Sequence, residues 1–444
     1  MAQVDVVRAG AINTFLRWED TKLPIDECIS RTLKRRGYST KGRKFFANLV
    51  YGTLRNMYLI DHIISQFCNR PLETLPKPIQ YILRIAVYQL FFCHQVTKPA
   101  VVHTSVELAR VFGHIGLARL VNAILRNIPE NIDDIQLPHR EEDEYQYLSI
   151  KYSIPLWILK EYEKNFGKDT LEEFCKSTTE VPYMAIRTNL TLITPEELQK
   201  RLLKIGIEAQ HLTPVPEELS LPPTYLLIDC PLFKQGLYTV QDPASMLCVH
   251  ALQPKPYEKI VDICSAPGTK ATHIGEFTFS NAKVYALDIH SRRIFRVQEN
   301  IRRLKLKNIF TLIGDGVSLP FPDDTFDKVL LDAPCSGLGT IRRNPDLKYN
   351  MNKESVIRLA ILQKKLLNEA IRICKKHGTI VYSVCTFTEE ETKKVVEPFI
   401  TSKKVLPIDG PELLNQWKTT TGIYQTLPTK SLWDGFFLTI LQKQ

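Results

Sequence analysis

No stretch of this 444-residue chain is apolar for long enough to cross a bilayer, and Asp5, Arg8 and Arg17 interrupt the first residues before a secretory segment can form. Both absences lead to the expectation of a cytoplasmic protein with no membrane partner. The ten cysteines include no C-x-x-C pair, which argues against a zinc ribbon or a thioredoxin-type centre; no metal is expected. Scattered thiols in a large intracellular chain are usually reduced and mostly buried. Glycine-rich nucleotide loops are missing as well. Ile263 stands where a Walker A loop ending at Gly268 needs glycine, and a single glycine cannot make G-x-G-x-x-G. Acidic residues are absent between Arg31 and Arg55, where Arg31, Lys34, Arg35, Arg36, Lys41, Arg43 and Lys44 crowd together. Residues 1–140 hold 19 Lys/Arg against 11 Asp/Glu, so most of the net charge of +10 lies in the first third. Such a basic surface suits a phosphate backbone, with affinity that falls as salt rises.

The chain is too long for one ordinary core. Residues 1–135 read as successive helices: Val4, Val7, Ala11, Phe15 and Trp18 have helical spacing, as do Phe46, Leu49, Val50 and Leu54. An acidic, proline-containing stretch at 129–145 suits a connection. Residues 145–235 mix helices at 155–166, 169–177 and 195–204 with extended pieces at Met184–Thr188 and Tyr225–Ile228, a small α+β segment. From 238 to 444 strands and helices alternate. Strands are expected at 259–264, 283–288, 309–313, 328–332, 378–385 and 435–441, and helices at 268–277, 291–305, 354–376 and 388–401. That alternation predicts a mostly parallel, Rossmann-like α/β sheet with helices on both faces.

Polar and reactive residues gather at the expected carboxyl ends of these strands, where ligands bind in open α/β sheets. Phe326–Asp332 runs into Ala333-Pro334-Cys335-Ser336-Gly337. By itself this reads equally well as a reactive thiol beside a carboxylate or as a strand stop with an inert buried cysteine. The first βα junction is Cys264-Ser265-Ala266-Pro267-Gly268-Thr269-Lys270, with Gly268 allowing close backbone approach at a helix start. The next strand ends in Asp288, about 20 residues on, the place of a ribose-binding acid. The third ends in Gly314-Asp315-Gly316, an acceptor for an adenine amine. Each acid alone is better read as a cap or a turn. All three in succession, with no phosphate cradle, indicate a nucleoside cofactor without phosphates, and S-adenosylmethionine fits. The strand ending in Cys385 delivers a second thiol to the same edge if its neighbour is the one ending in Asp332. Lysines such as Lys270 and helix dipoles would then lower a thiol pKa. The acidic run Glu389–Glu391 is expected to open the next helix and complement its dipole.

Ser265–Lys270, Asp288–Arg293, Gly314–Gly316, Asp332–Lys348 and Tyr382–Glu391, with Gln241–Ser245 and Asp434–Phe437, resemble the RNA (cytosine-C5)-methyltransferase family, the NOL1/NOP2/Sun group. The helical N-terminal region resembles the NusB fold. The resemblance implies a class I S-adenosylmethionine-dependent methyltransferase domain behind a NusB-like RNA-binding domain. It implies Cys385 as the nucleophile toward cytosine C6, Cys335 as an aid to release, and Asp332 as the group holding the N3/N4 edge of the base. Cys264, Ser265, Ala266, Pro267, Gly268, Thr269, Lys270, Asp288, Arg293, Asp315 and Asp332 are implied as cofactor contacts. The implied partner is 16S ribosomal RNA, naked or in a partly assembled small subunit, bound by a monomer, with Arg292, Arg296, Arg302, Arg303, Arg342 and Arg343 as candidate phosphate contacts. Two departures stand out. Thr269 replaces a usual glycine and must accept or shift that backbone conformation, and Thr392 replaces a usual asparagine.

Overall fold

The computed structural model describes residues 5–35, 37–93, 95–222, 227–429 and 433–444, so expectations touching Val4, Arg36 and Tyr225 lie outside the described residues. The chain divides into two compact units, Met1–Glu180 with Ile341–Asn350 and Val181–Thr340 with Met351–Gln444. Residues 145–235 are therefore shared between the two.

The first unit is helical: α1 (Val6–Thr21), α2 (Ile25–Arg35), α3 (Thr40–Arg55), α4 (Met57–Phe67), α5 (Lys77–Phe92), α6 (Lys98–Phe112), α7 (Ile115–Asn127), α8 (Glu144–Tyr152), α9 (Leu156–Phe166) and α10 (Leu171–Thr179). Local chemistry sets the helix starts. Asp5 accepts the Arg8 N–H at α1 and Ser39 the Gly42 N–H at α3, while Pro78 and Pro99 occupy the first turns of α5 and α6, where a missing N–H costs nothing. The faces presented by Phe15, Phe46, Leu49, Ile60, Ile63 and Leu83 are fully buried in one core, and Phe15 stacks on Tyr81 at 4.6 Å.

The second unit starts with β1 (Met184–Thr188), α11 (Pro195–Lys204), β2 (Glu218–Leu221), α12 (Pro231–Lys234) and β3 (Tyr238–Val240); β1 lies between β2 and β3, antiparallel to both. It continues through α13 (Pro243–Leu252), β4 (Lys259–Asp262), α14 (Thr269–Phe277), β5 (Lys283–Asp288), α15 (Ser291–Arg303), β6 (Ile309–Ile313) and β7 (Phe326–Asp332). After Thr340 the chain passes to the helical unit, ending there in α16 (Leu347–Asn350). It then returns with α17 (Lys353–Ile373), β8 (Cys374–Val384), α18 (Lys393–Thr401), β9 (Val405–Pro407), β10 (Lys418–Thr420), β11 (Ile423–Thr426) and β12 (Phe436–Lys443).

The large sheet has the order β10-β11-β12-β8-β7-β4-β5-β6, with β9 paired to β12. β6, β5, β4, β7 and β8 are parallel, and β12 runs antiparallel to β8. Ile260, Val261, Val329, Leu330 and Leu331 are fully buried, as strands covered on both faces require. The chain leaves β4 toward β5 and β6, then resumes on the other side with β7. The carboxyl ends of β4 and β7 therefore flank the switch point where α/β folds bind ligands.

Ile341–Asn350 is built into the helical unit by specific bonds. Asp346 accepts the Ile25 N–H at 3.2 Å, the Tyr349 hydroxyl donates to the Leu54 carbonyl at 2.7 Å, and the Tyr349 ring meets Trp18 and Tyr58 edge-on. Lys348 is buried and donates to the Arg55 carbonyl at 2.9 Å. Burial, then the Arg55 charge, pull its ammonium down to about 7. Between that value and the ordinary lysine value of about 10.4, the unfolded chain holds a proton that the folded chain lacks, so stability rises with pH across this window. The wild-type melting temperature is expected to climb relative to Lys348→Met between pH 7 and pH 9. A difference independent of pH in thermal denaturation contradicts this.

Candidate active site

β4 ends in Val261 and Asp262, and the loop beyond it is pinned to its neighbours: Ile263 N–H donates to the Leu330 carbonyl at 3.1 Å and Ser265 N–H to the Leu287 carbonyl at 2.8 Å. The Ala266–Pro267 bond is cis. Gly268 has φ +94°, and a Cβ there would meet Val297 Cγ1 at 2.8 Å, so only glycine fits. Thr269 lies inside α14 and is not among the positive-φ residues, so its departure from glycine needs no unusual backbone. Its carbonyl accepts from Arg187 Nη1 at 2.6 Å.

Asp288, at the end of β5, accepts the His290 N–H at 2.9 Å and the Ala266 N–H at 3.3 Å, joining the second strand to the loop. Asp315 accepts the Val317 N–H at 3.0 Å and is exposed. Asp262 was not singled out in the sequence. Both of its carboxylate oxygens are buried without a hydrogen-bond partner of normal geometry among the described residues, as is Ser265 Oγ. Burial pushes the Asp262 carboxyl up to about 7, against the pull of the neighbouring Ser265 hydroxyl. The Cys264 thiol is raised by burial and then by four carboxylates, Asp262, Asp288, Asp332 and Asp315, which converge around it. Orphaned buried acceptors and converging carboxylates at the switch point suit a cationic nucleoside, whose sulfonium and ammonium need counter-charges. S-adenosylmethionine fits these residues. Arg293 is on the exposed first turn of α15, where its N–H donates to the His290 carbonyl.

The two thiols meet. β7 and β8 are parallel neighbours with Asp332 opposite Ser383, so the segments that follow leave the sheet side by side. Ala333 N–H donates to the Ser383 carbonyl and Gly339 N–H to the Cys385 carbonyl, both at 3.0 Å. Cys335 Sγ and Cys385 Sγ are 3.3 Å apart, and both cysteines are half-buried. Asp332 accepts from Ser383 Oγ at 2.9 Å and from Lys270 Nζ at 2.6 Å. Burial pulls the Lys270 ammonium down, but Asp332, with Cys248 and Asp262, outweighs it and holds the group above its ordinary value. Lys270 Nζ also lies 5.4 Å from the centre of the Phe436 ring.

Lys270 therefore serves Asp332, and no thiol is lowered at Cys335. The hydrogen bond with Cys385, burial, and the Glu391 and Asp332 charges all push the Cys335 thiol up, which corrects the expectation drawn from lysines and helix dipoles. Either sulfur can donate in the contact between Cys335 and Cys385.

The acidic run also behaves differently from expectation. α18 starts only at Lys393, and Glu389–Glu391 lie in the turn before it. Glu391 is fully buried. It accepts from Ser336 N–H at 2.8 Å, Ser336 Oγ at 2.5 Å, Thr388 Oγ1 at 3.0 Å and Gln363 Nε2 at 3.1 Å. It thus clamps the residue after Cys335 to the turn after Cys385. Among the arginines, Arg303 is withdrawn from any phosphate role: it stacks on the Phe233 ring at 3.8 Å and donates to the Phe233 and Tyr238 carbonyls. Arg342 is buried within the helical unit, whereas Arg292, Arg296 and Arg302 are exposed.

A mostly parallel sheet with this strand order, with acidic side chains gathered at its switch point, has the architecture of an S-adenosylmethionine-dependent methyltransferase. A family model described as 16S rRNA methyltransferase RsmB/F matches residues 249–442, the NusB family matches residues 6–130, and an RsmF/B-like ferredoxin-like domain matches residues 154–224. A Bacillus subtilis protein named "Probable ribosomal RNA small subunit methyltransferase B" is 31% identical, covering 99% of each chain. A Proteus mirabilis "Ribosomal RNA small subunit methyltransferase B" is 31% identical over 92% of each. The crystal structure of PH0851 superposes with a TM-score of 0.84 at 24% identity, covering 100% of both chains, a likeness of fold. The chain belongs to the ribosomal RNA small subunit methyltransferase B family. No described helix is long and apolar enough to cross a membrane.

Proposed function

We propose that the protein, acting as a monomer, methylates C5 of one cytosine in 16S ribosomal RNA through a covalent bond between Cys385 and C6 of the base. The observation that carries this reading is the thiol pair, 3.3 Å apart beside Asp332 at the switch point. Family membership directs the choice of RNA. S-adenosylmethionine supplies an electrophilic methyl group on a sulfonium sulfur. Asp288, Asp315, Asp262 and the 264–270 loop bind and orient it. Asp332 holds the N3/N4 edge of a base presented unstacked. The Cys385 thiolate adds at C6, forming an S–C6 bond and leaving electron density on C5, which then takes the methyl group. Loss of the C5 proton to solvent restores the C5=C6 bond as the S–C6 bond breaks, its electron pair returning to sulfur. The Cys335 S–H aids that departure by hydrogen bonding to the forming thiolate.

The test is transfer of label from tritiated S-adenosylmethionine to 16S RNA, naked and in partly assembled small subunits, followed by bisulfite mapping. One bisulfite-resistant cytosine is expected; label on another base, or on the cytosine exocyclic amine, overturns the reading. Glu391 is a positioning residue in this scheme. Glu391→Ala is expected to lower kcat about 10–100-fold while KM for S-adenosylmethionine changes little, since Glu391 holds the Cys335 segment and not the cofactor. Equal losses in both constants count against that role.

A further inference from the structure

Three side chains that the methyl-transfer scheme does not use come together elsewhere in the α/β unit. Glu217 directly precedes β2, His250 is in the last turn of α13, and His273 is one turn into α14. Glu217 Oε1 lies 2.9 Å from His250 Nε2 and 2.8 Å from His273 Nε2, and the three donor atoms are all within 4.8 Å of one another. Glu217 and His273 are buried, while His250 is half-buried and leaves one side of the cluster accessible. Phe277 packs edge-on against both rings, at 5.4 Å from His250 and 6.2 Å from His273.

We propose that Glu217, His250 and His273 form a binding site for a divalent transition metal, zinc being the best match. Two imidazole nitrogens and one carboxylate oxygen are the donors that borderline cations select, whereas calcium and magnesium require oxygen ligands throughout. Both rings turn Nε2 toward one oxygen, Glu217 Oε1, so the three donor atoms are already gathered within reach of one ion. Zinc bonds of about 2.0–2.1 Å in a tetrahedron put ligand atoms about 3.3 Å apart, so loading opens the cluster by roughly half an ångström. Each imidazole then turns its Nε2 lone pair to the ion and carries its proton on Nδ1, which for His273 is buried with no hydrogen-bond partner among the described residues. Water on the open His250 side supplies the fourth ligand. The ligands come from three separate segments, and one of them is the helix that begins at the cofactor loop. The ion therefore acts as a clamp on α14 and takes no part in the chemistry of the thiols.

The test uses the full-length protein after chelation, titrated with Co²⁺ alone as a spectroscopic probe and then with Zn²⁺. One equivalent of Co²⁺ is expected to give tetrahedral ligand-field bands without intense thiolate charge-transfer absorption, and Zn²⁺ is expected to displace it. Saturating Zn²⁺ should raise the melting temperature by roughly 5 °C. His250→Gln and Glu217→Gln should each weaken binding at least about tenfold, while Cys385→Ala leaves it intact. Glu217→Gln keeps a hydrogen-bond acceptor, so a metal-free melting temperature near wild type combined with a lost zinc response separates a metal site from a hydrogen-bonded triad. If Glu217→Gln unfolds the protein, the more exposed His250→Gln carries the comparison. Absence of a saturable equivalent, cobalt bands of thiolate character, or unchanged binding in His250→Gln overturns the proposal.

Discussion

Cys335→Ala is expected to leave the protein covalently attached to its RNA, whereas Cys385→Ala gives neither product nor adduct. The expectation follows from the roles proposed for the two thiols. In the proposed scheme Cys335 is the thiol that keeps its proton, in line with the upward push it receives from its bond to Cys385, from burial and from the Glu391 and Asp332 charges. Cys385, its partner at 3.3 Å, is the nucleophile in the proposed scheme. Removing the nucleophile should lower turnover by roughly 10⁴-fold or more. Removing the neighbouring S–H leaves attack possible but withdraws the group that eases sulfur from C6, so the adduct accumulates. Denaturing electrophoresis with labelled RNA reads both outcomes. A retarded band from Cys385→Ala and none from Cys335→Ala would reverse the two roles.

The largest stability loss is expected from Arg187→Met. Arg187 is fully buried in β1 and makes a two-pronged contact with Glu276 of α14, Nη2 to Oε1 at 2.8 Å and Nε to Oε2 at 3.0 Å. The same guanidinium donates to Gln241, to Thr272 Oγ1 at 3.2 Å and to the Thr269 carbonyl at 2.6 Å. Burial pushes the Glu276 carboxyl up, and Arg187 counters it. Methionine fills much of the volume but leaves the buried Glu276 carboxylate without its guanidinium partner, a cost of about 3–5 kcal/mol. Arg187→Lys should recover little, because an ammonium cannot reproduce the planar fork. Pairing Arg187→Met with Glu276→Leu should restore much of the loss by removing the stranded charge. Denaturant unfolding measures all three, and a single-mutant loss below about 1 kcal/mol contradicts the account. Because Arg187 also grips Thr269, KM for S-adenosylmethionine should rise in the single mutant.

The α/β alternation from residue 238 onward was legible because buried parallel strands are short apolar runs that stop abruptly at polar residues. Asp288 and Asp315 could be placed for the same reason: each ends such a run. The meeting of Cys335 with Cys385 could be posed in the sequence only as a condition, since adjacency of β7 and β8 depends on strand order, which periodicity does not encode. Glu391 was hidden by its company. Three glutamates before a helix look like a dipole complement, and only the turn ending at Thr392 shows that the third faces inward. Asp262 was equally hidden, since a carboxylate at a strand end reads as a turn until its oxygens prove to be orphaned. Arg342 illustrates the opposite error. A pair of arginines after a catalytic motif suggests phosphate contact, yet Arg342 is buried in the helical unit.

That last segment also bears on biosynthesis. The first 180 residues of the helical unit leave the ribosome long before Ile341–Asn350 has been translated. At elongation speeds of roughly 5–20 residues per second, the delay is about ten to thirty seconds. Throughout that interval Trp18, Tyr58, the Ile25 N–H and the Leu54 and Arg55 carbonyls lack the partners that Asp346, Lys348 and Tyr349 later provide. The nascent N-terminal portion is thus an unfinished object for chaperones to guard, completed only when the strand leading to Cys335 has been made.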